Sequence, residues 1–466
     1  MDRWLGAALD YMPSWLDYQM QNAQLPGCLF AVVHRGKVVL DRAFGHANLS
    51  TGEELTPRHR FRIASHSKSF TSAGILKLRE QGRLRLDDPV GSFVDGLNKK
   101  TAAATLAQVL SHSAGLVRDG ADAGQFDERR PYPDADELRA DLASGPIIEA
   151  GLRLKYSNHG YGLLGLVISN VTGEPYAAWI EREIVKAAGL KETKPDMPLP
   201  RGTPFARGHS ARQPLGRRIV IPSEYRENAI TPAGGFVSTA ADTALFFNQL
   251  SPTAKRSILS PASRREMVRR HWRNPHSALE SYYGLGTMSG AIGGGGGGWN
   301  WFGHSGGLLG YVSRTVTLPD QDLTVSIMCN AADGWSGFWV DNAVNILRTF
   351  ATNGPPSRRV AGWTGRWWSS WGAFDLVPMG NKVLIGVPGM GHPFLDTSEI
   401  EVTGRDAGRV ALGNGYASHS EKVRRVRNAA GRIVELWVGG SRSVSKARAA
   451  AELERRFAPK KRKVRR

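Results

Sequence analysis

Strand-like segments occur near both ends of the first 350 residues, and a long helical stretch separates them. Cys28–Val33 and Lys37–Arg42 are β-branched or alternating runs around Arg35-Gly36, which predicts a hairpin. Strand patterning then lapses and returns at Tyr283–Met288, Asn300–His304, Val312–Leu318 and Leu323–Cys329. Between them, residues 85–245 carry helical periodicity broken by Pro/Gly loops. The simplest fold joining these parts is α+β: one antiparallel sheet built from both ends, beside a helical subdomain.

Helices frame this unit. Residues 13–23 are amphipathic, with Pro13 acceptable in a first turn, and Leu25-Pro26-Gly27 ends the pattern. Ser65–Gln81 reads as a helix with Phe70, Ala73, Leu76 and Leu78 on its apolar face and Gly82 as its stop. Thr239-Ala240-Ala241-Asp242 has the form of a helix N-cap, and a further helix is expected near 337–350.

Asn353-Gly354-Pro355-Pro356-Ser357 reads as a linker. Beyond it Trp363, Trp367, Trp368 and Trp371 cluster, and short alternating runs follow, Val383/Ile385/Val387 and Val434/Leu436/Val438. That predicts a small all-β domain, sandwich or barrel. The expected organisation is 1–352 as the main domain, 353–358 as linker, 359–457 as the β domain and 458–466 as a basic tail.

With 466 residues the chain is long enough for two or three domains, and 41% hydrophobic with 22% charged residues describes a soluble globular protein. Cys28 and Cys329 lie in apolar runs and read as buried free thiols. Two cysteines build no structural zinc site, and neither metal nor cofactor is expected. No run approaches the length of a membrane span, and no secretory signal is read at the N-terminus, so a cytoplasmic location is expected. The net charge is +19, and the last twelve residues supply eight of those positives. Pro459–Val464 has the form of a nuclear-import signal, but a disordered basic tail that meets anionic surfaces is the simpler reading; no groove-reading helix accompanies it, so no specific nucleic-acid partner is expected. The glycine run Gly293–Gly298 lacks the Lys-Ser/Thr of a phosphate loop and reads as a hairpin tip.

Three short strings carry the chemistry: Ser65-His66-Ser67-Lys68, Tyr156-Ser157-Asn158 and His304-Ser305-Gly306. Singly they are ordinary helix residues, a polar turn and a structural histidine. Ser-x-x-Lys also occurs at Ser443–Lys446, and His-x-Gly at His34–Gly36. As an ordered set they supply a nucleophile, proton carriers and a glycine-backed strand edge. Ser65 and Lys68 lie one turn apart on a helix face. Lys68 can take the serine proton if burial holds it neutral; if charged, it can instead favour a phenolate at Tyr156. Asn158 has an amide to grip a substrate amide or ester. His304 is a hydrogen-bonding or acid/base partner near the leaving group, and Ser305, Gly306 and Gly307 let substrate approach the strand backbone.

These strings, with Leu110-Ser111-His112-Ser113-Ala114-Gly115-Leu116, Thr231-Pro232-Ala233-Gly234-Gly235, Tyr283-Gly284-Leu285-Gly286 and Phe302-Gly303-His304-Ser305-Gly306-Gly307, resemble those of class C serine β-lactamases, penicillin-binding hydrolases, D-aminopeptidases and related esterases. The resemblance covers roughly residues 13–350. It implies a β-lactamase/transpeptidase-like fold, acylation of Ser65, acid/base duty shared by Lys68 and Tyr156, substrate orientation by Asn158, and an oxyanion hole at the N–H groups of Ser65 and Gly307. It also implies that the β domain is a lipocalin-like barrel. In relatives a barrel loop reaches the active site, which makes Gly389-Met390-Gly391-His392 a candidate contact, against a plain hairpin turn. His-Ser-Gly replaces the Lys-Thr-Gly usual in class C β-lactamases and points to a D-aminopeptidase-like peptidase or amidase acting on a small molecule or short peptide. An esterase or β-lactamase is the enzymatic alternative, and a non-catalytic binding protein using its basic tail is the alternative of another class.

Overall fold

The computed structural model describes residues 2–293, 297–413 and 415–457. The centre of the glycine run and the basic tail, with its import-like string, lie outside the described residues.

The expected sheet forms from both chain ends. Nine antiparallel strands run in the order Glu53–Glu54, Lys37–Asn48, Gly27–His34, Leu323–Cys329, Tyr311–Leu318, Trp299–Leu308, Met288–Ile292, Ser281–Tyr283, Trp272–Arg273. The seam is the pairing of Gly27–His34 with Leu323–Cys329, in which Cys28 faces Cys329 and Val32 faces Val325. Both strands are buried along their whole length, which explains their apolar character; the two polar side chains of the second, Thr324 and Ser326, are hydrogen-bonded to Thr317 and Thr315. The two cysteines are free and buried, and burial raises the Cys28 thiol pKa.

Helix Ser67–Glu80 is buried on nearly every side. Phe70 stacks on Phe246 at 3.8 Å and on Phe236 at 4.6 Å between ring centroids. Burying one such aromatic contributes about 2–3 kcal/mol and fixes the helix that carries Lys68. Three local expectations shift. The N-terminal helix spans Arg3–Ala23 and holds Pro13 inside, not in its first turn. The predicted strand Tyr283–Met288 is two strands parted by a bend in which the Gly284 N–H donates to the Thr287 carbonyl at 2.7 Å. The helix near 337–350 extends over Ser336–Asn353.

By contacts the chain divides into Gln24–Asp341 and a second unit of Met1–Ala23 with Asn342–Arg466. Sequence pattern places the first helix with the main domain, 1–352. In the structure its side chains bind the C-terminal segment: the Tyr11 hydroxyl donates to Asp375 at 3.1 Å, and Gln19 Nε2 donates to the Pro388 carbonyl at 2.5 Å. Within this second unit, eight strands follow in sequence order from Gly365–Ser369 to Ser441–Ser443. Reciprocal backbone hydrogen bonds of 2.9 Å between Trp368 and Val444 nearly close them into a barrel. Trp363, Val383, Ile400 and Leu436 fill its core, whereas Trp371 is exposed. The loop Gly389–His392 is engaged within the same unit, since Gln19 Nε2 also donates to the Met390 carbonyl at 3.1 Å.

Candidate active site

Ser65 sits in a single 3-10 turn, Ala64–His66, that leads directly into helix Ser67–Glu80. The turn is held from three directions. Ser67 Oγ donates to the Ala64 carbonyl at 2.6 Å and accepts from the Phe236 N–H at 3.1 Å. His66 Nδ1 lies 3.0 Å from the Ile63 carbonyl, and its Nε2 lies 3.1 Å from the Thr315 hydroxyl. Burial lowers the His66 pKa to about 4, so this ring is a neutral strut. Ala64 has φ +47°, a left-handed conformation that a non-glycine residue adopts at a cost of about 1–3 kcal/mol. Gly306 closes the arrangement: a Cβ there would lie 2.2 Å from the Ile63 carbonyl oxygen, so only glycine lets the sheet strand reach the serine turn.

The first two strings meet at Ser65 Oγ. Lys68 Nζ lies 3.1 Å away, and the Tyr156 hydroxyl donates to the same oxygen at 2.9 Å. Lys68 Nζ also donates to Asn158 Oδ1 at 2.7 Å and to the Ala233 carbonyl at 2.8 Å. Asn158 therefore turns its oxygen to the lysine and its nitrogen to Asp119, donating to Oδ1 at 2.5 Å. Ser157 caps helix Asn158–Thr172 by accepting from the Gly160 N–H, which fixes where Tyr156 and Asn158 project.

Burial sets the electrostatics. Lys68 is fully buried, and desolvation lowers its pKa to about 7 against the opposing pull of Glu227 and Asp119. The lysine is thus poised between ammonium and free amine. Desolvation raises Tyr156 above its ordinary value, so its hydroxyl keeps its proton. The His112 ring packs at a tilt against Tyr156, 4.1 Å between ring centroids; it accepts from the Ser157 N–H through Nδ1 at 3.2 Å and is held neutral by burial.

The third string divides. His304 is buried, with Nδ1 2.7 Å from the Ser305 carbonyl and Nε2 3.0 Å from the Tyr283 hydroxyl. Nδ1 must donate to that carbonyl, so Nε2 accepts from Tyr283, and desolvation keeps the ring neutral. Both nitrogens are occupied by protein groups. Ser305 Oγ accepts from Arg314 Nη1 at 3.4 Å, and Gly306 packs on the serine turn. None of the three lines the cavity of about 470 Å³ that holds Ser65 and Asn158, but the next residue, Gly307, does.

Arg118, Asp119, Glu227 and Ala233 also line the cavity, and sequence reasoning singled out none of them for a role. Asp119 lies three residues beyond the Leu110–Leu116 string, and Ala233 lies inside Thr231–Gly235, so proximity to quoted strings was the available signal. Glu227 had none. Among the described residues no three or more His, Cys, Asp or Glu side chains group so as to hold a metal ion.

The family model described as Beta-lactamase matches residues 13–348. Protein flp of Staphylococcus aureus (strain MW2) is 30% identical over 182 residues, 38% of this chain and 36% of that protein. Putative penicillin-binding protein PbpX of Bacillus subtilis (strain 168) is 28% identical over 160 residues, 34% of this chain and 39% of that protein. The chain thus matches little more than a third of the length of these curated relatives. Among solved structures, the octameric penicillin-binding protein homologue from Pyrococcus abyssi superposes with TM-score 0.65 at 24% identity, over 93% of this chain and 99% of that one. The D-amino acid amidase from Ochrobactrum anthropi SV3 gives TM-score 0.63 at 22% identity, over 73% and 98%. At these identities the superpositions establish the shared fold. The family match covers well over half of the chain and includes all three strings, and the chain belongs to the Beta-lactamase family.

Proposed function

We propose that this protein cleaves an amide or ester bond through an acyl-enzyme on Ser65, with D-amino acid amides or short peptides as the first substrates to try. The observation that carries the proposal is the position of Ser65 Oγ between Lys68 Nζ at 3.1 Å and the Tyr156 hydroxyl at 2.9 Å. In the free-amine state Lys68 donates to Asn158 and Ala233 and presents its lone pair to Ser65. The Ser65 proton passes to Lys68 as Oγ attacks the substrate carbonyl carbon. The oxyanion is received by the N–H groups of Ser65 and Gly307, each worth about 3–4 kcal/mol in such sites. Tyr156 gives its proton to the departing nitrogen or oxygen and is reprotonated from Lys68. Water then attacks the ester carbonyl by the reverse relay, releasing the acid and free Ser65. Asn158 holds Lys68 in place, and His304 acts through Tyr283 as a positioning residue.

The substrate ranking rests on the His304-Ser305-Gly306 string and on two fold neighbours, a D-stereospecific amidohydrolase from Streptomyces sp. and the D-amino acid amidase. A fluorophosphonate probe tests the hydrolase reading: one adduct on Ser65 is expected, and a folded wild-type protein without it overturns the reading and leaves a binding protein. Side-by-side rates on D-alanine p-nitroanilide, p-nitrophenyl acetate and nitrocefin test the ranking. A dominant rate on either of the last two replaces it with the esterase or β-lactamase assignment.

A further inference from the structure

For acylation, Lys68 must spend its two amine N–H groups on acceptors and keep its lone pair for Ser65. The Ala233 carbonyl can only accept, so that contact is settled. Asn158 is different, because its amide has a donor end and an acceptor end of nearly the same shape. Turned over, it would offer Nδ2 to Lys68 and take up the lone pair that Ser65 needs. What decides its orientation lies on the far side of the amide. Asn158 Nδ2 donates to Asp119 Oδ1 at 2.5 Å. A carboxylate has no hydrogen to give, so it admits only the nitrogen and leaves Asn158 Oδ1 for Lys68 Nζ at 2.7 Å.

The backbone fixes Asp119 in this position. The Arg118 carbonyl accepts from the Asn158 N–H at 2.9 Å and the His159 N–H at 3.2 Å, and the Val117 carbonyl accepts from Ser157 Oγ at 2.5 Å. Gln125 Nε2 donates to the carbonyl of Asp119 itself at 3.3 Å. The Asp119 side chain is buried, and its Oδ2 lies 3.4 Å from Nε of the largely exposed Arg118, which leaves Oδ1 to Asn158. The other groups around Lys68 have no such path to it. Glu227 Oε1 accepts from Arg62, Tyr156 and Tyr161 turn their ring faces to Nζ at 4.7 and 5.5 Å, and burial holds His112 and His304 neutral. Asp119 is thus the acid joined to the base by hydrogen bonds, through Asn158. Its charge acts on Lys68 as well: desolvation lowers the lysine pKa, Glu227 and Asp119 raise it, and Arg118 lowers it.

We infer that Asp119 is a positioning residue for acylation: by accepting from Asn158 it holds the amide with its oxygen on Lys68 and so directs the lysine lone pair at Ser65. This rests on the hydrolase reading and adds to it the residue that orients the base. The test follows the rate of fluorophosphonate labelling of Ser65 against pH, with urea unfolding to certify each fold. Asp119→Asn keeps the shape of the side chain, removes its charge and lets the Asn158 amide turn over. Both changes disfavour the ammonium, so the midpoint should fall below that of wild type by about half a pH unit or more. The plateau should fall about 10- to 100-fold, because the lone pair is misdirected. The double variant Asp119→Asn/Asn158→Asp exchanges donor and acceptor across the same contact. Above its midpoint it should label faster than Asp119→Asn, and that midpoint should lie above wild type because the negative charge then sits against Lys68. An Asp119→Asn midpoint that stays or rises, whatever the plateau does, overturns the inference and leaves the hydrolase reading standing. A double variant no faster than Asp119→Asn does the same. If Asp119→Asn does not fold, the double variant decides: a raised midpoint with labelling within about tenfold of wild type supports the inference, and anything less overturns it. If neither folds, the carboxylate serves the structure rather than the base, and the inference falls. Absence of labelling in wild type overturns both readings.

Discussion

Lys68 and His304 are both buried bases from the diagnostic strings, and burial pushes both towards their neutral forms, but they are wired differently. Lys68 points three potential donors at two carbonyl-type oxygens and the Ser65 hydroxyl. Two of those oxygens can only accept, so the third contact is where a proton can change hands. His304 has one nitrogen on a backbone carbonyl and the other on Tyr283, which leaves it no position open to substrate. A basic residue in a motif is thus a proton carrier only if one of its partners can exchange a proton with the reacting atoms. Burial alone does not distinguish the two cases.

The largest test of this contrast is Lys68→Met, which keeps bulk and removes the base; kcat/KM on the best substrate should fall about 10³- to 10⁴-fold. An equal loss in His304→Gln would erase the distinction. Tyr156→Phe should follow, with about 10²- to 10³-fold lost, and the loss should shrink for an ester whose leaving group needs no proton. An undiminished amide rate would remove Tyr156 from the relay. The pH profile comes next. Lys68 acts as base only when deprotonated and its pKa is about 7, so acylation should rise roughly tenfold per pH unit below that value and level off above it. Rates of fluorophosphonate labelling across the range read this directly, and a flat profile through neutrality would assign the base elsewhere. His304→Gln should have the smallest effect on rate, under about tenfold, with the midpoint unmoved, because it acts through Tyr283. It should still cost about 1–3 kcal/mol in urea unfolding, since a glutamine amide does not reproduce both ring contacts, to Tyr283 and to the Ser305 carbonyl.

Much of this molecule was legible from local pattern. That one sheet draws strands from both ends was readable from the apolar run Cys28–Val33 and the largely apolar Leu323–Cys329, whose Thr324 and Ser326 hydroxyls are paired with Thr317 and Thr315. The Ser65–Lys68 contact follows from helix geometry alone. Element ends were read less well. Pro13 suggested a helix start, but the helix begins at Arg3 and carries the proline within it. The partners of that helix, Asp375 and Pro388, lie more than three hundred residues away, and no local pattern encodes them.

The sequence by itself determined the strand-helix-strand layout, the small β module and the order of the three strings, since hydrophobic period and residue chemistry are local properties. Tertiary structure alone decided what each string does. It placed Tyr156 and Lys68 on one oxygen and turned His304 away to Tyr283. The physical reason is that protonation and hydrogen-bond roles depend on desolvation and on partners brought together from distant parts of the chain. Neither is written in the residues that flank a motif.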